Sequence, residues 1–505
     1  MELTFHEQRV HYLAQTRYDN LYQEQTAEMT VPETMPEIAR IVDCFGTVIV
    51  GNRTVESGSV SVSGGIQAGV LYVAEGSDDE LNRIDVYLPF TVTKKIPVQE
   101  DSTLFYWGWL RSIDARFINS RKVLVRANLG SELTLYAPAE WAVCQLDRRP
   151  AALACKTNVY PLRLPVSVAE KELQIADEVL MPEDGVGADR LLKWSIGAEI
   201  TDTSVIGEKA VFKGDLRLRV LFRSEAGKLA AWEGTVPFSQ YAELDRTGED
   251  ATVSVQPIFR HVEIDTDGQL DSRRLLLNVT LTAQLVTFAA VPVTLTEDAY
   301  ELGGSFDPEW ETRELTPLLD LQTKTVEAAL ALPQDAERIL DWTVLPDAPG
   351  SGGAGGEELT AGVWANVLYY DRDNALQGRV LRDTVRTGLT RTEGGSCSCC
   401  LTPAGEAQVQ GGQLCSGLRA VCRTEKPTAF RNLCGGTPEP APRADRPSLI
   451  VRRASGPLWD VAKECGSTVE AITAANRLDT DDLEEERLLL IPTGRAAETA
   501  KEEET

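Results

Sequence analysis

Cysteine is the potentially reactive residue type that gathers most densely in this chain of 505 residues. Thiolates bind zinc and iron–sulfur clusters, and oxidation joins them in disulfides. From Cys397 to Cys434, the cysteines follow the pattern Cys-x-Cys-Cys and then steps of 15, 7 and 12 residues. This pattern lacks the paired Cys-x-x-Cys motifs of common metal sites. This spacing favours ordinary thiols over two alternatives, which are oxidative cross-linking and a metal site at Cys397, Cys399, Cys400 and Cys415. Six of the ten cysteines form the cluster: Cys397, Cys399, Cys400, Cys415, Cys422 and Cys434.

Other groups that could do catalysis are sparse. The three histidines are His6, His11 and His261, and the step of five from His6 to His11 does not match the helical spacing of a zinc protease. The chain contains neither a Gly-x-x-x-x-Gly-Lys-Ser/Thr phosphate loop nor a Gly-x-Ser-x-Gly nucleophile elbow. We therefore predict a protein that is not an enzyme and carries no cofactor.

Charge and composition disfavour several classes of binding partner and cellular location. The net charge is −27, which disfavours nucleic acid and anionic membrane surfaces. No apolar run approaches the roughly 18 residues that span a bilayer, and residues 1–20 lack the apolar core of a signal peptide. These features predict a cytoplasmic protein without a membrane span.

The chain contains an internal repeat, which indicates the structural units that carry the residues discussed above. The phrase Arg40-Ile-Val-Asp-Cys44 recurs as Arg190-Leu-Leu-Lys-Trp194 and as Arg338-Ile-Leu-Asp-Trp342. A glycine follows each arginine after 24 positions, at Gly64, Gly214 and Gly362, and both landmarks move in steps of 150 and 148. Two landmarks that move together indicate three related units built by duplication.

The repeated segments alternate like strands. Val60, Val62, Ile66 and Val70 fall on one side of a period of two, as do Phe212, Leu216, Leu218 and Val220 in the second unit. The other side of the second strand carries Lys213, Asp215, Arg217 and Arg219, and we expect it to face water. The shared glycine predicts a bulge or a close backbone contact. In the third unit the apolar positions slip by one residue relative to Gly362, which predicts a shorter, degenerate domain.

The predicted fold is mainly β, with tandem antiparallel β-sandwich or barrel-like repeats followed by a small βααβ domain. The expected boundaries are 1–150, 151–310 and 311–434 for the three repeats, 435–447 for a proline-rich linker, 448–493 for the terminal domain and 494–505 for a polar tail. The Cys cluster falls in the third repeat.

The terminal segment resembles a LysM module. The resemblance rests on Leu458-Trp-Asp-Val-Ala462, Gly466-Ser-Thr-Val469, Asn476-Arg-Leu478 and Leu490-Ile-Pro492. Pro457 and Thr468 are expected to open its two helices, and Gly466 to close the first. Trp459 is expected in the module core, with a position in a contact as the alternative. In LysM modules the first loop binds N-acetylglucosamine polymers. Two loops are the candidate binding surface here: Ser455, Gly456, Pro457 and Leu458 in the first, and Asn476, Arg477 and Leu478 in the second.

The repeats resemble the SPOCS domain of spore-forming Firmicutes. Val31-Pro-Glu-Thr-Met-Pro-Glu-Ile38 is similar to the opening phrase of that family, and the Gly64…Tyr72 strand, Pro89-Phe90 and Arg121-Lys-Val123 also fit. SPOCS repeats followed by one LysM module is the architecture of SipL-type proteins. The resemblance implies a scaffold of the endospore coat, made in the mother cell and recruited to the forespore surface. It implies docking to the spore coat morphogenetic ATPase (stage IV sporulation protein A). The alternative is a peptidoglycan-binding protein.

Overall fold

Long antiparallel strands make up most of the molecule. The computed structural model describes residues 3–76, 80–99, 101–181, 188–224, 226–266, 273–349, 358–390, 394–440 and 447–493. Strands account for 80% of it and helices for 4%, as the alternating apolar pattern predicts. The polar tail at 494–505, residues 441–446 of the predicted linker and most of the glycine-rich loop before Glu358 lie outside the described residues.

Unit 1 consists of two three-stranded antiparallel sheets that share one hydrophobic core. The hairpin sheet has the order β2-β3-β4, and the ribbon sheet has the order β1-β6-β5. Val60, Val62, Ile66 and Val70 are buried in this core, so the prediction of an inward face is confirmed. The strands are β1 (Phe5–Thr30), β2 (Ile38–Glu56), β3 (Ser59–Ala74), β4 (Leu81–Lys95), β5 (Thr103–Asn119) and β6 (Lys122–Leu146).

Unit 2 repeats this arrangement. Its hairpin sheet is β8-β9-β10 and its ribbon sheet is β7-β12-β11. Gly64 and Gly214 are close backbone contacts, as predicted, because an added Cβ would clash with the backbone carbonyl oxygen of Ile49 in unit 1 and of Glu199 in unit 2. The strands are β7 (Leu153–Leu180), β8 (Ala188–Ile206), β9 (Lys209–Ser224), β10 (Leu229–Glu243), β11 (Thr252–Thr266) and β12 (Arg274–Glu301).

Unit 3 has the same two sheets, but its ribbon is divided. The hairpin sheet is β15-β16-β17, the ribbon sheet is β14-β19-β18, and β13 pairs separately with β20. The predicted boundary at residue 310 falls inside β13, and the predicted linker begins inside β20. The strands are β13 (Gly304–Leu315), β14 (Leu318–Ala331), β15 (Ala336–Pro349), β16 (Glu358–Asp371), β17 (Leu376–Thr390), β18 (Ser396–Gln410), β19 (Gln413–Glu425) and β20 (Thr428–Pro440).

The slipped frame of unit 3 has a simple structural cause. Asp43 pairs with Leu71 and Lys193 with Leu221, whereas Asp341 pairs with Leu368, so the connection is one residue shorter in unit 3. Counting back seven positions along the strand from each leucine gives Gly64, Gly214 and Ala361. Ala361 therefore occupies the register of the other two glycines, and Gly362 is not their structural equivalent.

The terminal module follows unit 3. Its order is β21 (Leu449–Pro457), α1 (Leu458–Cys465), α2 (Val469–Asn476) and β22 (Asp482–Pro492), with β21 antiparallel to β22. Thr468 caps α2 by accepting a hydrogen bond from the Ala471 amide at 3.1 Å, and Gly466 ends α1 in the left-handed region at a φ of 64°. Both boundary predictions are confirmed.

The three units meet in a cyclic arrangement. Strand β2 packs on β11, β8 packs on β18, and β15 packs on β5, so the opening strand of each hairpin sheet contacts the ribbon sheet of the next unit. The third of these contacts returns from unit 3 to unit 1. One buried apolar cluster draws residues from all three hairpin sheets, including Leu71, Leu221 and Leu368. The units therefore pack against one another through buried surfaces and are not independent domains joined only by linkers.

Candidate functional site

Buried charges occupy the place where the three units meet. Asp43, Lys193 and Asp341 stand at the same position of the repeated phrase, and each has a β-bulge immediately before it. Lys193 Nζ lies 2.7 Å from Asp43 Oδ2 and 2.9 Å from Asp341 Oδ2, and all three side chains are at least 95% buried. We call this cluster the central junction.

Two further side chains complete the central junction. The Arg219 Nε donates a hydrogen bond to Asp341 Oδ1 at 2.7 Å, and its guanidinium stacks 3.5 Å from the centre of the Trp342 ring. The Asn366 amide donates to Asp43 Oδ1 at 2.9 Å. Each carboxylate therefore accepts more than one hydrogen bond, which offsets part of the cost of burying charge.

The pKa values at the central junction follow from this pairing. Burial by itself lowers the pKa of Lys193, but the adjacent Asp341 and Asp43 outweigh it, and the pKa of Lys193 is raised. Burial by itself raises the pKa of Asp341, but Lys193 and Arg219 outweigh it, and the pKa of Asp341 is lowered. Both groups are therefore held in their charged forms.

Sequence reasoning missed this cluster and misplaced Arg219. The outward side of β9 was expected to face water, and Lys213 is indeed exposed. The side chain of Arg219, however, is only 13% exposed, because it reaches Asp341 of unit 3 and Glu233 of its own unit. The sequence did contain a signal for this cluster. The fourth residue of the repeated phrase is charged in all three copies, although it directly follows two apolar residues.

A cavity of about 230 Å³ lies beside the central junction. Its walls combine strands β2 and β5 from unit 1, β8 and β11 from unit 2, and β15 and β18 from unit 3. Trp107 and Trp342 contribute rings, and the cations that line it, Arg217 and Arg219, are already paired with carboxylates. The lining residues offer no spare charge that would select an ionic ligand.

The first predicted loop of the terminal module is only partly a surface. Ser455 and Pro457 are exposed and Gly456 is half-buried. Leu458 has no exposed surface and belongs to the module core. Its assignment to the binding surface is therefore wrong, because the first residue of α1 points into the module.

The second predicted loop divides in the same way. Arg477 is exposed and adopts the left-handed conformation that ends α2, at a φ of 53°. Asn476 binds the backbone of the adjacent strand: its amide donates to the Leu490 carbonyl at 2.6 Å, and its oxygen accepts from the Leu490 amide at 2.7 Å. Leu478 is a buried core residue, so its assignment to the binding surface is also wrong.

Trp459 connects the module to unit 2. Its indole N–H donates to Asp298 Oδ2 at 2.8 Å, and its ring meets Tyr300 edge-on at 5.0 Å. Lys463 pairs with Asp298 at 2.7 Å, and the Tyr300 hydroxyl donates to the Ser467 carbonyl at 2.8 Å. Trp459 is half-buried: it packs against the buried cluster of the module, as expected, and also makes this contact with unit 2.

The cysteine candidates do not assemble a metal site. Cys397 and Cys422 form a disulfide, so the expectation of ordinary thiols fails for these two. Cys399 lies in the core of unit 3, while the adjacent Cys400 lines the central cavity, because neighbouring strand residues point to opposite faces. Cys415 pairs with Gln408 near the far end of β18. Within the described ranges, no group of three or more His, Cys, Asp or Glu residues could hold a metal ion.

Burial raises the pKa of the thiols that remain free in this region. The pKa of Cys399 rises to about 12 through desolvation, and that of Cys400 rises well above its ordinary value for the same reason. Both thiols are therefore protonated at neutral pH, which disfavours nucleophilic chemistry.

Comparison with known families identifies one part of the chain. Residues 188–267 match the family described as SipL, SPOCS domain. The match begins at the first residue of β8, includes Lys193 and Arg219, and supports a SipL-type, sporulation-related protein. No curated protein and no solved structure matches the chain. None of the described helices is long and apolar enough to cross a membrane.

Proposed function

We propose that this chain is a non-enzymatic scaffold of endospore envelope assembly, in which the terminal module docks a coat morphogenetic partner. The observation that carries the proposal is the family match over residues 188–267. The matched segment supplies the middle residue of the central junction, and units 1 and 3 contribute the equivalent positions. All three units therefore take the same structural role as the matched one.

The cyclic packing of the units supports a scaffold. A scaffold must hold several surfaces at fixed angles, and packed interfaces with buried ion pairs restrict relative motion more than flexible linkers do. The docking contact at Trp459 and Asp298 extends this support to the terminal module, since it fixes the module against unit 2. The partner of the module is then presented on a rigid platform.

We propose that the partner is the coat morphogenetic ATPase, stage IV sporulation protein A, and that the chain is recruited from the mother-cell cytoplasm to the forespore surface. We further propose that the terminal module is a LysM module and that the three units are SPOCS repeats with β-sandwich architecture. The strand-helix-helix-strand order of residues 449–492 supports the first assignment. The common strand order of the units supports the second.

The test is microscopy of the fluorescently tagged chain in sporulating cells, compared with the same chain lacking residues 448–493. We expect the full chain to gather around the forespore and the truncated chain to remain diffuse. A full-length signal that never gathers there contradicts the scaffold. A truncated chain that gathers normally contradicts docking through the module.

The second candidate is a peptidoglycan-binding protein. It is favoured by one observation, the exposure of Ser455 and Pro457 at the loop where LysM modules bind glycan. Sedimentation of the purified protein with peptidoglycan, with and without residues 448–493, tests it. Binding that requires those residues supports this candidate, whereas recovery entirely in the supernatant contradicts it.

A further inference from the structure

We infer that one face of the terminal module, opposite its helices, is a docking surface for an extended segment of a partner protein that is both apolar and basic. This inference rests on the proposed docking role of the module and names a surface and a partner chemistry for it. Four large aliphatic side chains form the surface, which we call the outer face: Leu449, Val451, Leu488 and Leu490.

The outer face is a contiguous apolar patch. Val451 pairs with Leu490 across the two strands, and Leu488 and Leu449 lie two residues away on the same face. The four side chains are 49%, 56%, 60% and 42% exposed in the order Leu449, Val451, Leu488 and Leu490. The intervening residues Leu489 and Ile491 point to the other side and are fully buried against the helices. Single exposed aliphatic residues are ordinary, but four neighbours on one small sheet mark an interaction site.

The two edges of this sheet differ. At the outer edge of β22, the Asn476 side chain occupies the amide and carbonyl of Leu490. Strand β21 pairs with β22, and no other strand of the described structure adds to its free edge. An uncovered edge next to an apolar face is the arrangement that accepts an added strand, with backbone hydrogen bonds providing affinity and alternate side chains specificity.

The chain itself offers no cover for the outer face from the segments that flank it. Residues 441–446 read Ala-Pro-Arg-Ala-Asp-Arg, and residues 494–505 contain only Gly, Ala, Thr and charged residues. Neither segment has a side chain large and apolar enough to bury the four aliphatic residues. Neither of these two segments is therefore the occupant, and the inference assigns that place to a partner protein.

Charge selects the chemistry of that occupant. Six carboxylates lie between Asp479 and Glu486, at the end of β22 that leads into the outer face. Arg453, the cross-strand partner of Leu488 on the outer face, pairs with Glu486 at 3.6 Å. The other five carboxylates outnumber the neighbouring Arg487, so this end of the face remains acidic. A second copy of the module would bring two acidic runs together, whereas a strand that alternates aliphatic residues with Lys or Arg complements both the patch and the charge.

The test uses the full chain and a library of immobilised ten-residue peptides that alternate aliphatic residues with Lys or Arg. A matched library carries Asp or Glu at the charged positions. We expect the native protein to bind members of the basic library at least tenfold more strongly than their acidic counterparts. The double variant Val451→Thr, Leu490→Thr, which removes apolar surface without adding charge, should lose this binding. Both side chains are exposed, so the variant should fold, which circular dichroism checks.

The matched control is Val409→Thr, which makes the same kind of replacement at a 41% exposed valine of unit 3 and should bind like the native protein. Equal binding to the two libraries, or binding that survives in the double variant, overturns the inference. A dimer of the native protein that the double variant abolishes, measured by light scattering, also overturns it in favour of a second copy. Because peptide binding is measured on purified protein, its failure is distinguishable from a failure of forespore localisation.

Discussion

Two contacts hold the parts of this chain together, and they are built on opposite principles. The central junction buries Asp43, Lys193 and Asp341 at 95% or more and draws one of them from each unit. The docking contact of the terminal module joins a small buried apolar contact at Ala154 and Tyr300 to a polar contact among Trp459, Lys463 and Asp298, which keep part of their surface in water. A buried charge cannot lose its partner without an unpaired ion remaining, whereas a half-exposed contact opens and lets water replace it. The units are therefore mutually dependent, and the module is held against unit 2 by a contact that depends less on buried charge.

The strongest way to break this contrast is to remove the middle charge. Lys193→Met leaves Asp43 and Asp341 buried without their common cation, and we expect a loss of about 3–5 kcal/mol in the free energy of unfolding. Urea denaturation followed by fluorescence measures it. Lys213→Met, on the exposed side of β9, is the matched control and should change stability by less than about 0.5 kcal/mol. A Lys193 variant as stable as the control would show that the junction does not hold the units together.

The next largest effect is the weakening of the central junction by acid. The pKa of Asp341 is lowered from its ordinary value of 3.8. Its stabilising contribution is therefore fully present above that value and is lost as the pH falls through the lower pKa of the folded protein. We expect the melting temperature of the native protein to fall more steeply below about pH 4 than that of the triple variant Asp43→Leu, Lys193→Met, Asp341→Leu. Parallel curves would contradict the assignment.

The triple variant has a second use. Replacing all members of a buried charge cluster with apolar residues of similar size is often neutral or stabilising. We therefore expect the triple variant to recover most of the stability that Lys193→Met loses, as measured by the same denaturation. If it is no more stable than the single variant, the loss in the single variant comes from packing and not from unpaired charge.

The smallest effect belongs to the docking contact. A double-mutant cycle of Trp459→Phe and Asp298→Asn isolates the hydrogen bond between the indole and the carboxylate, and we expect a coupling of about 1 kcal/mol. Thermal unfolding of the four proteins measures it, with Asp460→Asn, an exposed neighbour on α1, as the control. Strict additivity would mean that the two side chains are adjacent without stabilising each other.

Local features of the fold were readable from the sequence because they depend on near neighbours. The alternation in β3 and β9, the close approach at Gly64 and Gly214, and the cap at Thr468 all follow from residue type and spacing. The one-residue slip of the apolar pattern in unit 3 was also visible in the sequence. Its cause was not, because only the strand pairing shows that Ala361, and not Gly362, occupies the position of Gly64 and Gly214.

Features set by contacts between units were not readable. Arg219 has the pattern of a solvated strand residue and becomes buried only because unit 3 lies against it. At the candidate site, the motif identified the two loops but not the direction of their side chains, so Leu458 and Leu478 were placed on the surface although they are core residues. Trp459 was expected in the module core, and the sequence did not show that its ring would also contact unit 2.

The docking contact also changes how mechanical force travels through the molecule. By sequence, the module is tethered to unit 3 through the segment after Pro440, but Trp459 and Lys463 fasten it to Asp298 of unit 2. A partner that pulls on the module therefore first loads unit 2, which transmits the tension to units 1 and 3 through the interfaces around Lys193. After the contact at Asp298 has ruptured, the module is still joined covalently to unit 3 through the chain between Pro440 and Leu449.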